Sequence, residues 1–98
     1  LSGSGPAYVF MFIEALADAG VKMGLDRAVS EKLAVLTVSG AAAMAERPGA
    51  NTLQLRASVS SPGGTTVAAT AALERAGFRG VVIDAVEKAK ERAVELGA

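Results

Sequence analysis

Six consecutive residues, Tyr8, Val9, Phe10, Met11, Phe12 and Ile13, are apolar. In a helix they occupy every face, and a helix that is apolar all round must be covered all round. Ser4-Gly5-Pro6 just upstream makes helix the reading: a serine positioned to cap, then proline where its missing N–H costs nothing. The pattern predicts a helix over 6–23, with Gly24 as its left-handed stop. A second helix is expected over 27–46, capped by Asp26 and ended by Arg47-Pro48-Gly49. Its second half, 33–45, is again apolar on nearly every face. Gly40 and the run Ala41-Ala42-Ala43 would let another backbone approach closely. Two such helices read either as a tight intramolecular pair or as a subunit contact. Five short helices cannot enclose both, so the subunit contact is preferred.

Composition points the same way. Apolar residues make up 51% of the 98 but aromatics only 4%, so small and aliphatic side chains must supply the core. Burial stabilises by roughly 25 cal/mol per Å² of apolar area, which leaves a lone monomer of this size marginal. Ten basic and ten acidic residues cancel, against nucleic acid, which needs a clustered basic surface. With no cysteine and no histidine, the chain has no disulfide framework, no thiolate chemistry, no imidazole base and no ordinary zinc or copper site; no metal is expected. Leu1-Ser2-Gly3-Ser4-Gly5 lacks the basic n-region of a signal peptide. The longest uncharged runs, 1–13 and 33–45, fall short of the ~20 residues of a membrane helix. The expectation is a soluble cytoplasmic protein, cut out of a longer one.

Further along, Asn51-Thr52 starts a short helix to about Val59. Ser60 to Gly64 is a tight turn or loop, and 65–76 is helix again, closed by Gly77. A last amphipathic helix runs from Phe78 or Arg79 to Leu96. Its apolar stripe is Val82, Val86, Ala89, Ala93 and Leu96, and Asp84 and Lys88 are expected to pair at i,i+4. No period-two alternation lasts long enough for a strand. The fold class is all-α, a compact bundle of about five helices whose two long apolar members form an intertwined dimer interface.

Ser60-Ser61-Pro62-Gly63-Gly64-Thr65-Thr66 carries the chemistry. A helix N-terminus offers unsatisfied N–H groups and roughly half a positive charge. Two glycines clear away side chains that would keep a ligand from them. Ser61, Thr65 and Thr66 add hydroxyls that donate to an anion or accept from a protonated nitrogen. Such a loop suits a small carboxylate or phosphate, although the same residues also make an ordinary capped turn.

Four segments in order, Leu1 to Tyr8, Glu14 to Leu25, Val59 to Thr66 and Leu73 to Gly80, resemble pyrroline-5-carboxylate reductase. The resemblance implies the helical C-terminal domain of that enzyme, like the C-terminal domain of 6-phosphogluconate dehydrogenase, spanning 1–98 as a dimerisation and substrate-binding domain. The N-terminal Rossmann half that binds NADPH or NADH is absent, and no Gly-x-Gly-x-x-Gly follows a strand. It further implies reduction of the C=N bond of 1-pyrroline-5-carboxylate to L-proline, and a homodimer that often assembles further. Carried over by position, Ser61, Gly63, Gly64, Thr65 and Thr66 cradle the substrate carboxylate. Thr66 is the catalytic candidate, its hydroxyl reaching the ring nitrogen.

The departures are specific. Ser58 stands where relatives carry an asparagine near the cofactor, making it a weakened cofactor-binding candidate. Thr65 alternates with alanine in relatives, so its backbone matters more than its hydroxyl. Thr70 replaces an aliphatic residue, which bears on packing behind the loop. Pro6 and Tyr8 line the pocket or pack in the core. Glu14 and Asp18 share a helix face that reads as solvated or rim, and Glu87, Glu91 and Glu95 as solvent-facing. Met11, Met23 and Met44 read as core filler. Two other functions remain open: a non-catalytic oligomerisation module, and the helical domain of a related dehydrogenase acting on another small carboxylate.

Overall fold

The computed structural model describes residues 1–60 and 64–97. They form five helices and no strand: α1 (Gly5–Lys22), α2 (Arg27–Ala45), α3 (Thr52–Ser58), α4 (Thr65–Arg75) and α5 (Phe78–Glu95). The chain divides into two units, Leu1–Leu55 and Arg56–Ala98.

In the first unit α1 and α2 fold back on each other as a helical hairpin. Gly24, at φ 109°, makes the reversal. Its N–H donates to Val21 O (3.0 Å), and the Leu25 N–H donates to Gly20 O (2.9 Å). This pair of bonds is the Schellman arrangement, which satisfies carbonyls the helix end would otherwise leave bare. The helix starts depart from expectation in chemistry, not in place. Ser4 precedes α1 but already has helical φ and ψ of −95° and −21°, so its hydroxyl cannot turn back to cap. It hydrogen-bonds the Tyr8 hydroxyl instead, while a preceding backbone turn (Gly5 N–H to Leu1 O, 2.8 Å) extends the helix backwards. Asp26 has the extended backbone of an N-cap, yet its carboxylate makes no cap bond. Its backbone carbonyl takes the Ser30 N–H at 2.8 Å.

Three residues of this unit are buried: Ala17, Ala34 and Ser30. The Ser30 hydroxyl donates to Ala17 O across the hairpin at 2.7 Å. Opposite it, a Cβ added at Gly20 would run into Ser30 Oγ and meet Leu25 Cδ1 at 3.2 Å. The crossing is therefore set by small residues and one buried hydrogen bond. Larger side chains point out: Phe10 is 62% exposed, Met11 68% and Leu36 55%. Met11 and Met23 are exposed and only Met44 is half-buried, so methionine does not fill a core within this chain. By length and hydropathy α2 would pass for a membrane span. Arg27, Glu31 and Lys32 occupy its first turns, however, and the uncharged remainder covers about 20 Å of a hydrocarbon layer ~30 Å thick.

In the second unit α4 packs on α5. Ala76 caps the end of α4 and Gly77, at φ 80°, caps the start of α5, so two residues make the whole turn. Along the expected stripe of α5, Val86, Ala89 and Ala93 are half-buried, whereas Val82 and Leu96 are exposed. The Asp84–Lys88 pair does not form. Lys88 lies 3.8 Å from Glu91, and Arg92 bonds Glu95 at 2.8 Å. Glutamate is one methylene longer than aspartate and spans the turn that Asp84 does not.

Gly20→Ala should destabilise the hairpin by about 1–3 kcal/mol through overpacking at Ser30. Ser30→Ala should cost about 1 kcal/mol through the lost buried bond. Thermal or urea melts of each variant check both values.

Candidate functional site

The loop is closed at its first end by α3. Asn51 starts that helix, its carboxamide oxygen accepting the Gln54 N–H at 3.1 Å. At the other end the Ser60 N–H donates to Ala57 O (3.1 Å) and the Ser60 hydroxyl to Arg56 O (2.7 Å). Ser60 thus covers carbonyls at the negative end of a helix, where they would oppose an anion. Ser58, the last residue of α3, is exposed. The expected ligands Ser61 and Gly63 lie outside the described residues, as does Pro62.

Gly64 is half-buried, with φ −83° and ψ −178°, and holds the N-cap position of α4. Having no side chain, it caps nothing. The first backbone bond of the helix runs from the Ala68 N–H to Gly64 O at 3.2 Å. The N–H groups of Thr65, Thr66 and Val67 therefore leave the helix end without an intrahelical acceptor. Thr65 is exposed and Thr66 half-buried. The Thr70 hydroxyl donates to Thr66 O (3.0 Å) and is also 3.2 Å from Val67 O. This contact and that of Ser60 went unread in the sequence. A serine just past a helix and a threonine one turn inside the next are the signals that could have revealed them. Pro6 sits exposed in the first turn of α1, in the other unit.

Among the described residues no three of His, Cys, Asp and Glu gather as metal ligands. A groove of about 290 Å³ in the first unit is lined by Ile13, Glu14, Ala17, Asp18, Arg27, Glu31 and Val35. Asp18 there pairs with Arg27 at 3.0 Å, both exposed. Glu14 and Asp18 accordingly line a solvated, ion-paired rim, not an enclosed acid pair, and such a bridge contributes little.

Comparison with known proteins identifies the setting. The family model described as pyrroline-5-carboxylate reductase dimerisation matches residues 1–96. The chain belongs to that family. The pyrroline-5-carboxylate reductase of Synechocystis is 52% identical over 97 residues, 99% of this chain and 36% of the relative. That of Pisum sativum is 53% identical over 96 residues, 98% of this chain and 35% of the relative. The chain thus spans about a third of the relatives it matches. Among solved structures, the reductase of Coxiella burnetii superposes with a TM-score of 0.94 at 47% identity, over 98% of this chain and 36% of that one. The Plasmodium falciparum pyrroline carboxylate reductase, solved with NADP bound, gives 0.93 at 42%, over 99% and 39%.

The family is described by its dimerisation, which supports homo-oligomerisation. The match also runs through the whole 60–66 loop.

Ser60→Ala should loosen the end of α3 by about 1 kcal/mol, read as faster amide exchange at Ser60 and Leu55 with the α1–α2 amides unchanged.

Proposed function

We propose that the chain is the C-terminal, dimer-forming and substrate-holding part of an NAD(P)H-dependent reductase converting 1-pyrroline-5-carboxylate to L-proline. The observation that carries this reading is the N-terminus of α4, capped by Gly64 with no side-chain cap bond among the described residues, inside a loop that matches the family. Three N–H donors without intrahelical acceptors and the positive end of a helix dipole suit a carboxylate. Gly64 supplies no side chain to compete for them. In this reading Ser61, Gly63, Gly64, Thr65 and Thr66 form the cradle, Thr65 through its backbone.

The reaction adds a hydride to the imine carbon and a proton to the ring nitrogen, and the nicotinamide cofactor supplies the hydride when bound. This chain's residues do not fit that cofactor. Its described elements are all helices, so no strand feeds a glycine-rich phosphate turn. Ser58 alone makes no cofactor site, and the dinucleotide half belongs to the rest of the enzyme. The chain's own part is to orient the ring by its carboxylate and to hold the nitrogen's proton at Thr66 Oγ1. Thr66 then acts by positioning that proton, directly or through water. Pro6, exposed in the first turn of α1, is a further candidate substrate contact.

The exposed faces of α1 and α2 are the dimer interface, in an intertwined arrangement, with dimers assembling further. Gly40 supports this. A Cβ there would meet nothing within 4 Å among the described residues outside its own helix, so its backbone is bare for a partner. The whole is a soluble cytoplasmic enzyme of proline biosynthesis.

In the full-length enzyme, Gly64→Val should raise KM for 1-pyrroline-5-carboxylate about tenfold or more, as a side chain enters the cradle. Thr66→Ala should lower kcat about tenfold to a hundredfold with assembly intact. Steady-state kinetics and light scattering read both, and an unchanged KM and kcat would remove the loop from the mechanism. Leu36→Arg should shift the dimer toward monomer in sedimentation experiments, since it buries an unpaired charge in the interface.

A further inference from the structure

Thr70 is not part of the loop, yet among the described residues its hydroxyl is the one in α4 that donates back into the turn that the loop feeds. It bonds Thr66 O at 3.0 Å and approaches Val67 O at 3.2 Å. In a regular α-turn Thr66 O also accepts the Thr70 N–H, so one carbonyl takes two donors from one residue. The peptide unit carrying that carbonyl carries, at its other end, the N–H of Val67. That N–H is one of the three leaving the helix without an intrahelical acceptor.

Hydrogen bonds in a chain polarise one another, so a donor on a carbonyl strengthens the N–H of the same peptide unit. The second contact acts on the next peptide unit. Its carbonyl belongs to Val67 and its N–H to Ala68, which donates to Gly64 O at 3.2 Å and closes the first turn. One hydroxyl thus bears on both the outward donor and the bond that fixes Gly64. An aliphatic side chain of the same shape could do neither. Its half-buried setting limits competition from water.

We propose that Thr70 is a positioning residue for the anion site at the α4 N-terminus, tightening its hold on the substrate carboxylate through the Thr66–Val67 and Val67–Ala68 peptide units. This rests on the carboxylate-cradle reading above. Thr70 touches no reacting atom in this account, so it affects affinity and not the chemical step.

The test uses the full-length reductase with Thr70→Val, which keeps the shape and loses the donor, and Thr70→Ser, which keeps the donor. KM for 1-pyrroline-5-carboxylate and the inhibition constant of L-proline, a ring carboxylate without the imine, are measured together with kcat. Thr70→Val should weaken both constants by about threefold, in step, with kcat held, and Thr70→Ser should restore them. Thr70→Ala against Thr70→Ser repeats the comparison in two small side chains if the valine variant does not fold. An unchanged KM on losing the hydroxyl, or a loss that serine fails to restore, overturns the proposal. Gly64→Val separates the two levels. If it too leaves KM unchanged, the cradle reading falls; if it raises KM while the Thr70 variants do not differ, only the role of Thr70 falls.

Discussion

Everything in the first unit depends on how closely α1 can approach α2. Gly20 leaves room for Ser30, and Ser30 fills it with a hydroxyl that bonds Ala17 O at 2.7 Å. Two helices meeting over glycine, alanine and serine come near each other but bury little area. Ala17 and Ala34 are the only buried apolar residues described. Many bulky side chains, Phe10, Met11 and Leu36 among them, are left outside that seam, where at roughly 25 cal/mol per Å² their burial would favour association. The close internal contact and the exposed outer faces are thus two consequences of one choice of small residues.

The second unit solves a different problem. A helix needs its first N–H groups satisfied, whereas the anion site proposed for α4 needs them left open. In that reading glycine at the N-cap reconciles the two, because it costs only a few tenths of a kcal/mol against serine or aspartate and occupies none of the donors. Stability is recovered nearby. Ser60 covers carbonyls at the end of α3, and Thr70 binds carbonyls inside α4. Both bonds are made at the two end residues of the loop, Ser60 and Thr66, and tie them to the flanking helices.

The sequence revealed backbone decisions far better than side-chain ones. Gly24, Pro48-Gly49 and Gly77 each impose a local φ or remove a donor, and all five helices begin and end within a residue or two of where those signals put them. Caps and ion pairs were less legible. Ser4 and Asp26 occupy the right positions but make no side-chain cap bond, and Lys88 turns to Glu91 instead of Asp84. Those outcomes depend on rotamers among several near-equal partners, which spacing does not rank. Thr70 was legible as a polar residue in an apolar place, but which carbonyls its hydroxyl reaches depends on its rotamer in the folded helix. The loop was recognisable from its family pattern, while local physics alone left it between an anion cradle and an ordinary turn.

The absence of histidine and cysteine constrains what such a loop can contribute. Backbone N–H groups, a helix dipole and threonine hydroxyls do not change protonation state in the physiological range. An anion site made of them holds its ligand through fixed dipoles, which need no reorganisation as charge shifts during reaction. In the proposed reaction the carboxylate keeps its charge throughout, so these donors bind ground and transition states alike and act on KM. Acceleration must come from groups whose interaction changes as the imine is reduced. Within this chain the Thr66 hydroxyl alone of the proposed contacts meets that condition, since its partner nitrogen passes from a planar iminium to a tetrahedral amine. The division of labour between anchoring backbone and one reactive hydroxyl follows from the chemistry of the donors.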